Sequence, residues 1–409
     1  MLYDNALLIS ALCDAYIITK ETKYKDIIEE TIAFAEKELK DESGGYYCAL
    51  DADSEGSEGK FYTWTWEEWE AAVGADNQVA AAYFGVTKEG NWEETNILHI
   101  AKSIDEISLE YAVSAVYVKQ EIATAKSKLL SARQTRIRPE TDDKSLLSWN
   151  ALMNISLSKA GVVLGENKYI SLAEAHMEWM DKQFTNKGML QHAWKKGVAR
   201  IPAKLDDYAY LAQAMLLLAS TCGANKWILK ASSLNEIIIN EFSSEETFFY
   251  YTSASQNDIP VRKVDLYDGA IPSANAVTAY NLWVCGMCME KDKWIQRSSR
   301  MLQDISDNVV RYSYSFGHWA LLLQRYVAGL KTVIFTGLFA GNESKSLQKQ
   351  YNPDIYVLTL EKEISELPIF EKKVFADKLH IFVCTQQACL SPVNSADEAI
   401  SLLKKIKKH

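Results

Sequence analysis

Two pairs of adjacent aspartates, Asp142-Asp143 and Asp206-Asp207, carry the clearest chemical potential in this sequence. Cleavage of a glycosidic bond needs two carboxyl groups flanking it, one protonated and one ionised. Burial holds a carboxyl protonated, whereas a helix N-terminus favours the ionised form. Each pair precedes a long apolar run, so N-capping accounts for one aspartate and leaves its neighbour available. The expected acid/base pair is Asp143 and Asp207, suited to a glycosidase-like reaction or to sugar isomerisation or epimerisation. The alternative is a ligand-binding or scaffold module that performs no chemistry itself.

Aromatic and polar residues cluster beside those pairs. Tyr3, Trp149, Tyr208 and Trp319 would stack on sugar rings or else pack a core. Asp4, Asn5, Asp142, Lys144, Asn150, Asp206, Asn275 and His318 complete the expected substrate-binding lining. Lys144, Lys204 and Arg138 would hold an anionic group or compensate the carboxylates. An acidic turn with Asp51, Asp53, Glu55 and Glu58, followed by Tyr62 and Trp64, is expected either to overhang the same cavity mouth or to be a solvated turn. It begins like an EF-hand calcium loop, but Tyr62 occupies the twelfth position, where a Glu is required. No metal and no cofactor are expected.

These residues recur in one phrase, an acidic or amide cluster beside an aromatic, opening an apolar helix. It reads Leu2-Tyr3-Asp4-Asn5-Ala6, then Asp142-Asp143-Lys144-Ser145 running to Trp149-Asn150, then Leu205-Asp206-Asp207-Tyr208-Ala209, then Ser273-Ala274-Asn275-Ala276. Ser315-Phe316-Gly317-His318-Trp319 is a weaker echo. Helical spacing covers residues 6–18, 24–39, 146–164, 168–184, 208–221, 227–242, 292–310 and 318–326. Between helix pairs lie β-prone runs around polar turns: 46–50 with 61–64, 189–194 with 198–201, and 248–252 with 261–266. The repeating unit is therefore helix, helix, hairpin. Residues 67–134 are less regular. After Gly329 the pattern changes to strands at 331–336, 355–360 and 380–384 and helices at 342–350 and 396–405.

The fold class expected from this alternation is mostly α: an (α/α)6 toroid, or six-hairpin barrel, over residues 1–329. Its β-hairpins would sit at one mouth, and residues 330–409 would form a small α/β subdomain. The net charge of −10 across 409 residues and the absence of a Lys/Arg stripe argue against nucleic acid and anionic membrane as partners. The one basic run, Lys404-Lys405 with Lys407-Lys408, reads as a helix end. No stretch reads as long and apolar enough to span a bilayer. Cys13, Cys222, Cys285 and Cys288 fall in apolar helical patterns and read as buried thiols. Cys384 and Cys389 read as two ordinary thiols in preference to a reversible disulfide. With no secretory signal visible, a cytoplasmic setting is expected.

Longer strings carry a resemblance. Leu2-Tyr3-Asp4-Asn5-Ala6-Leu7 is similar to the opening motif of the N-acylglucosamine/cellobiose 2-epimerases. Ala49-Leu50-Asp51-Ala52-Asp53-Ser54-Glu55-Gly56, continuing through Glu58-Gly59-Lys60-Phe61-Tyr62, resembles the spermatogenesis-associated protein 20 family more closely. So do Arg138-Pro139 with Asp142-Asp143-Lys144, Trp149-Asn150, and Asp206-Asp207-Tyr208-Ala209. That resemblance implies an N-terminal thioredoxin-like domain ending just before the Tyr3-Asp4-Asn5 motif, which this sequence lacks. A small sugar and a thioredoxin-like domain or protein are the expected partners. Sugar 2-epimerases use two histidines as acid and base, and the helix starts here offer only His318. The resemblance implies a fold more directly than a reaction.

Overall fold

A computed structural model describes residues 1–186, 188–360, 366–371, 373, 378–386 and 388–406. In chain order the helices are α1 (Leu2–Thr19), α2 (Thr22–Phe34), α3 (Trp66–Val73), α4 (Gln78–Phe84), α5 (Ile104–Tyr111), α6 (Ala115–Arg133), α7 (Leu147–Leu164) and α8 (Asn167–Gln183). They continue with α9 (Leu205–Cys222), α10 (Lys226–Phe242), α11 (Ala274–Cys288), α12 (Asp292–Arg311), α13 (Gly317–Ala328), α14 (Ala340–Gln348) and α15 (Ala396–Ile406). The strands are β1 (Ala49–Leu50), β2 (Asp53–Ser54), β3 (Ser57–Glu58), β4 (Thr141–Asp142), β5 (Ser145–Leu146) and β6 (Thr185–Asn186). They end with β7 (Met189–Lys195), β8 (Val198–Pro202), β9 (Lys331–Thr336), β10 (Ile355–Leu360) and β11 (His380–Cys384). Two compact units result, Met1–Cys48 with Asp143–His409, and Ala49–Asp142. The expected boundary at 329/330 lies inside the first unit.

In the first unit the helices alternate between inner and outer positions, as in an (α/α)6 toroid. Helices α1, α7, α9, α11 and α13 pack side by side as inner helices, and α2, α8, α10 and α12 fold back on their outer side. The residue patterns explain the sorting. Helices α7, α9 and α11 are buried on most faces and over most of their length, their polar residues included. Helix α12 buries one stripe, Trp294, Ser298, Met301, Leu302, Ile305 and Val309, and leaves the rest to solvent. Helix α1 is long and apolar enough in composition to cross a membrane, contrary to the sequence reading. It packs against α7 and carries Asp4 and Asp14.

The middle hairpin forms as expected. Strands β7 and β8 pair antiparallel, with Ala193 opposite Arg200 and Lys195 opposite Val198. Lys196 and Gly197 both take positive φ, the backbone of a two-residue turn whose twist matches the strands. Strand β5, leading into α7, adds to β7. The first expected hairpin does not form. Glu55 and Gly56 both have positive φ and close β2 onto β3 inside the acidic turn, so residues 61–64 have no strand to meet. Strand β1 instead pairs with β4, and Trp64 bridges Asn96. In the third copy the pairing reduces to single bridges, Ser243 with Phe249 and Tyr250 with Val264.

The C-terminal α/β part lies in the first unit. Its sheet order is β10-β9-β11, with β9 and β10 parallel and β11 antiparallel. Strand β10 packs on α9, where the Tyr356 hydroxyl donates to the Leu216 carbonyl at 2.8 Å. A disulfide joins Cys384 and Cys389, which corrects the two-thiol reading: the chain doubles back after β11 and brings the residues into a bridge. Cys13, Cys285 and Cys288 are buried, and Cys222 is half-buried. Lys404 and Lys405 close α15, while Lys407 and Lys408 lie outside the described residues.

The second unit holds α3–α6 around its own core, which includes Trp64, Trp69, Phe84, Ile107, Ile122 and Leu129. Capping boxes at Thr65 with Glu68 and Ser103 with Glu106 open α3 and α5.

Candidate functional site

The start of α9 holds Asp206, the most strongly perturbed acid among the described residues of the first unit, beside the buried Asp207. Asp207 is fully buried, and its carboxylate is committed to the backbone on two sides. Oδ1 accepts from the Ser148 N–H at 3.0 Å. Oδ2 accepts from the Lys204 N–H at 2.9 Å and meets His192 Nδ1 at 2.8 Å. Burial pushes the His192 imidazole down, but the hydrogen bond and charge of Asp207 outweigh it, and the net shift is upward.

Asp206 has a different environment. Its side chain is 6 % exposed. Oδ1 accepts the Asp207 N–H at 3.0 Å, and Oδ2 accepts the Tyr251 hydroxyl at 3.3 Å. Burial first, and the neighbouring Asp207 charge second, push its carboxyl from 3.8 up to about 7. It therefore holds a proton through the acidic range while Asp207 receives the buried N–H donors.

Asp206 faces a cavity of about 170 Å³ whose lining includes Tyr210, Tyr251, Asp265, Tyr267 and Asn275. The wall formed by residues 265–272 is tied down from several sides. Asp268 accepts the Ser273 N–H through Oδ1 and the His318 N–H through Oδ2, each at 2.7 Å, so one carboxylate joins the starts of α11 and α13. Trp319 Nε1 donates to the Leu266 carbonyl at 2.9 Å, and the Tyr210 hydroxyl donates to the Pro272 carbonyl. Burial and Asp206 raise the Tyr251 phenol, which stays a hydrogen-bond donor. Tyr267 is 63 % exposed at the rim and packs against Phe316.

The remaining expected site residues are distributed differently. Asp143 is ion-paired to Lys195 and, at 3.8 Å, to Lys196, the two lysines at the β7–β8 turn. The hydrogen bond from Lys195 is the largest cause of its lowered pKa. That environment opposes a proton-holding role, and Asp143 does not line the Asp206 cavity. The carboxamides of Asn150 and Asn275, expected to meet substrate, clamp backbone, and Asn275 also lines the Asp206 cavity. Asn150 accepts the Tyr46 N–H at 2.9 Å and donates to the Tyr46 carbonyl at 3.0 Å. Asn275 does the same to Phe249, at 2.9 and 3.0 Å. Much of the recurring phrase is therefore a device for attaching the incoming segment to the next inner helix.

The aromatics largely serve packing. Tyr3 lies edge-on to Trp149 at 4.7 Å, and Tyr208 sits 5.3 Å from Phe242, where burial pushes its phenol up to about 12. Asp4 is exposed, Asn5 donates to the Met1 carbonyl, and the Lys144 carbonyl accepts the Cys48 N–H. His318 lines a separate cavity. In the second unit, Asp51 accepts the Asp53 N–H at 3.2 Å, and Glu55 pairs with Lys60 at 2.9 Å. There too Tyr62 meets Phe61 edge-on, Arg136 stacks over Trp64 at 3.9 Å, and Asp142 pairs in register with Ala49.

His192, Tyr251, Asp265 and Asp268 were missed in the sequence. A signal existed for the last two. Val264-Asp265-Leu266-Tyr267-Asp268-Gly269 repeats the acidic-aromatic grammar just ahead of Ser273. His192 and Tyr251 enter from strand-like segments whose pairing brings them to α9, and nothing local marks them.

No family model matches the chain. It is similar along nearly its whole length to longer proteins. An uncharacterised protein of Caenorhabditis elegans is 26 % identical over 99 % of this chain. Spermatogenesis-associated protein 20 is 25 % identical over 98 % of it in both Rattus norvegicus and Homo sapiens. The resemblance carried by the motifs thus extends across the chain. The chain spans 61 % of the nematode protein and 57 % of the mammalian ones. Among solved structures, a D-mannose isomerase aligns at TM-score 0.38 and 12 % identity, covering 74 % of this chain and 73 % of that one. A family 105 glycoside hydrolase of C. acetobutylicum aligns at 0.35 and 11 %, covering 75 % and 77 %. At those scores the likeness bears no weight, and the functional reading rests on the site.

Proposed function

We propose that this chain is a carbohydrate-active protein whose chemistry is acid/base catalysis on a glycosidic bond at the start of α9. One observation carries the reading: Asp206, a buried carboxyl with its pKa raised to about 7, faces a tyrosine-walled cavity that also holds a second carboxyl, Asp265. Perturbed acids in a concave, aromatic-lined site are the expected signature of general acid catalysis. In this reading Asp206 gives its proton to the departing glycosidic oxygen. Asp265 accepts the proton of the attacking water, and the Tyr267 ring supports a sugar face. Burial and the Asp207 charge keep Asp206 protonated, against the opposing charge of His192. The pairing suggested by sequence, Asp143 with Asp207, gives way to Asp206 with Asp265, because the Asp143 carboxylate is neutralised by two lysines and the Asp207 oxygens are already filled.

Turnover of a panel of neutral aryl glycosides by the chain, and by its Asp206→Asn and Asp143→Asn variants, tests this. Asp206→Asn should lower kcat by about 100-fold or more, the usual scale of a general acid. Asp143→Asn should remain close to the parent. A panel with neither binding nor turnover would replace the enzyme with the ligand-binding module, and loss of activity in Asp143→Asn alone would restore the original pair.

A further inference from the structure

A second cavity, of about 390 Å³, lies along the inner helices of the first unit and does not include Asp206. Its body is aliphatic: Leu7 from α1, Leu152 and Ile155 from α7, Leu216 and Leu217 from α9, and Leu321 from α13. These walls suit an alkyl chain, although polar side chains such as Gln213, Gln350 and Asn352 also line the cavity. The polar groups in the lining have a definite charge balance. Lys159 is committed to Asp14 at 2.6 Å and to the Ser10 carbonyl at 2.9 Å, which cancels one charge of each sign. Arg325 donates through Nε to the Pro353 carbonyl at 3.0 Å, and its guanidinium lies 4.7 Å from the centre of the Tyr280 ring. Among the described residues, no carboxylate within ion-pair distance balances Arg325. His318 shares the lining and is kept neutral, pushed down to about 4 by burial first and by Arg325 second. An apolar chamber of this size with one uncompensated guanidinium has the form of a small-molecule site.

We infer that this cavity binds a small amphiphilic anion of the medium-chain carboxylate type, its acid group on Arg325 and its chain against the leucines of α1, α7 and α9. The planar guanidinium fork matches a carboxylate in geometry as well as charge. The half-exposed Leu321 side chain marks the side open to solvent. This site stands independently of any reaction at Asp206.

Calorimetric titration of the full chain with octanoate, 1-octanol and octylammonium tests the inference. Octanoate should bind saturably and at least about tenfold more tightly than either of the others. Arg325→Met should reduce octanoate to the level of octanol, and Arg325→Lys should retain most of the preference. Ala11→Trp, which fills the lining from α1, should abolish binding of all three while leaving the thermal midpoint near that of the parent. Equal binding of octanoate and octanol to the parent chain would overturn the inference. So would an Arg325→Met variant that still prefers octanoate, an Ala11→Trp variant that binds like the parent, or the absence of saturable octanoate binding. Should Arg325→Met fail to fold, the octanoate-to-octanol ratio on the parent chain decides alone.

Discussion

Asp206 and Asp207 are neighbours in sequence with opposite tasks, and the difference comes from which donors reach each one. Asp207 receives two backbone N–H groups and an imidazole; Asp206 receives one N–H and a phenol and otherwise faces the cavity. This sets a stability dependence on pH. The Asp206 pKa is higher in the folded chain, about 7, than its ordinary 3.8. Between those values the folded state keeps a proton that the unfolded state has released. The contribution is complete below about pH 4 and is lost as pH rises toward 7. Asp206→Asn keeps a polar side chain without the titration. It should flatten that fall and leave the variant more stable than the parent at pH 8 by at least about 1 kcal/mol. Urea melts of both proteins from pH 4 to pH 8 would measure it; parallel curves would show that Asp206 titrates normally. The aspartate pair was legible in the sequence as a pair. Which member stays available was not, because the choice depends on the Ser148 N–H and on His192, both delivered by other segments.

At the scale of elements, the helices of the first unit were legible nearly to their ends, whereas α3–α6, within the irregular stretch 67–134, were not assigned. The C-terminal strands were legible with their observed bounds, 331–336, 355–360 and 380–384, whereas the hairpins were legible only where a local turn closed them. Lys196-Gly197 joins β7 to β8 as expected, whereas the Glu55-Gly56 turn captured the acidic segment and broke the first expected hairpin. One repeat went unread. Gly161 of α7 lies against Ile170 of α8, and Gly286 of α11 lies against Ile295 of α12, each pair nine residues apart. A Cβ at Gly161 would sit 2.5 Å from the Ile170 side chain and 3.0 Å from its backbone nitrogen; at Gly286 the corresponding distances to Ile295 are 2.6 and 3.2 Å. Inner and outer helices therefore close on each other at a glycine near the end of the inner helix. Gly286→Val should destabilise the chain by about 1–3 kcal/mol through overpacking, read from denaturant midpoints. An unchanged midpoint would mean that the α11–α12 contact is loose.

For the whole molecule, the periodic part of the chain was readable and the interruption was not. Residues 49–142 form their own unit, and its two ends meet where Ala49 pairs with Asp142. The first unit is likewise closed across the junction, the Cys48 N–H donating to the Lys144 carbonyl at 2.8 Å. Removing residues 49–142 and joining Cys48 to Asp143 through a short glycine linker should therefore leave a cooperatively melting, helical protein, as judged by far-UV circular dichroism. A non-cooperative melt would contradict the division. Within the first unit, the acid, the second carboxyl and the tyrosine walls come from α9 and the segments around residues 251 and 265–272. The proposed carbohydrate site rests on that convergence, in a chain whose motifs mostly attach one helix pair to the next. The most direct measurement is a carbon-detected NMR titration of the Asp206 carboxyl, run with and without saturating neutral monosaccharides. The account requires a midpoint near 7 that moves when at least one sugar is added. A midpoint in the ordinary carboxylate range, unmoved by every sugar, would contradict it.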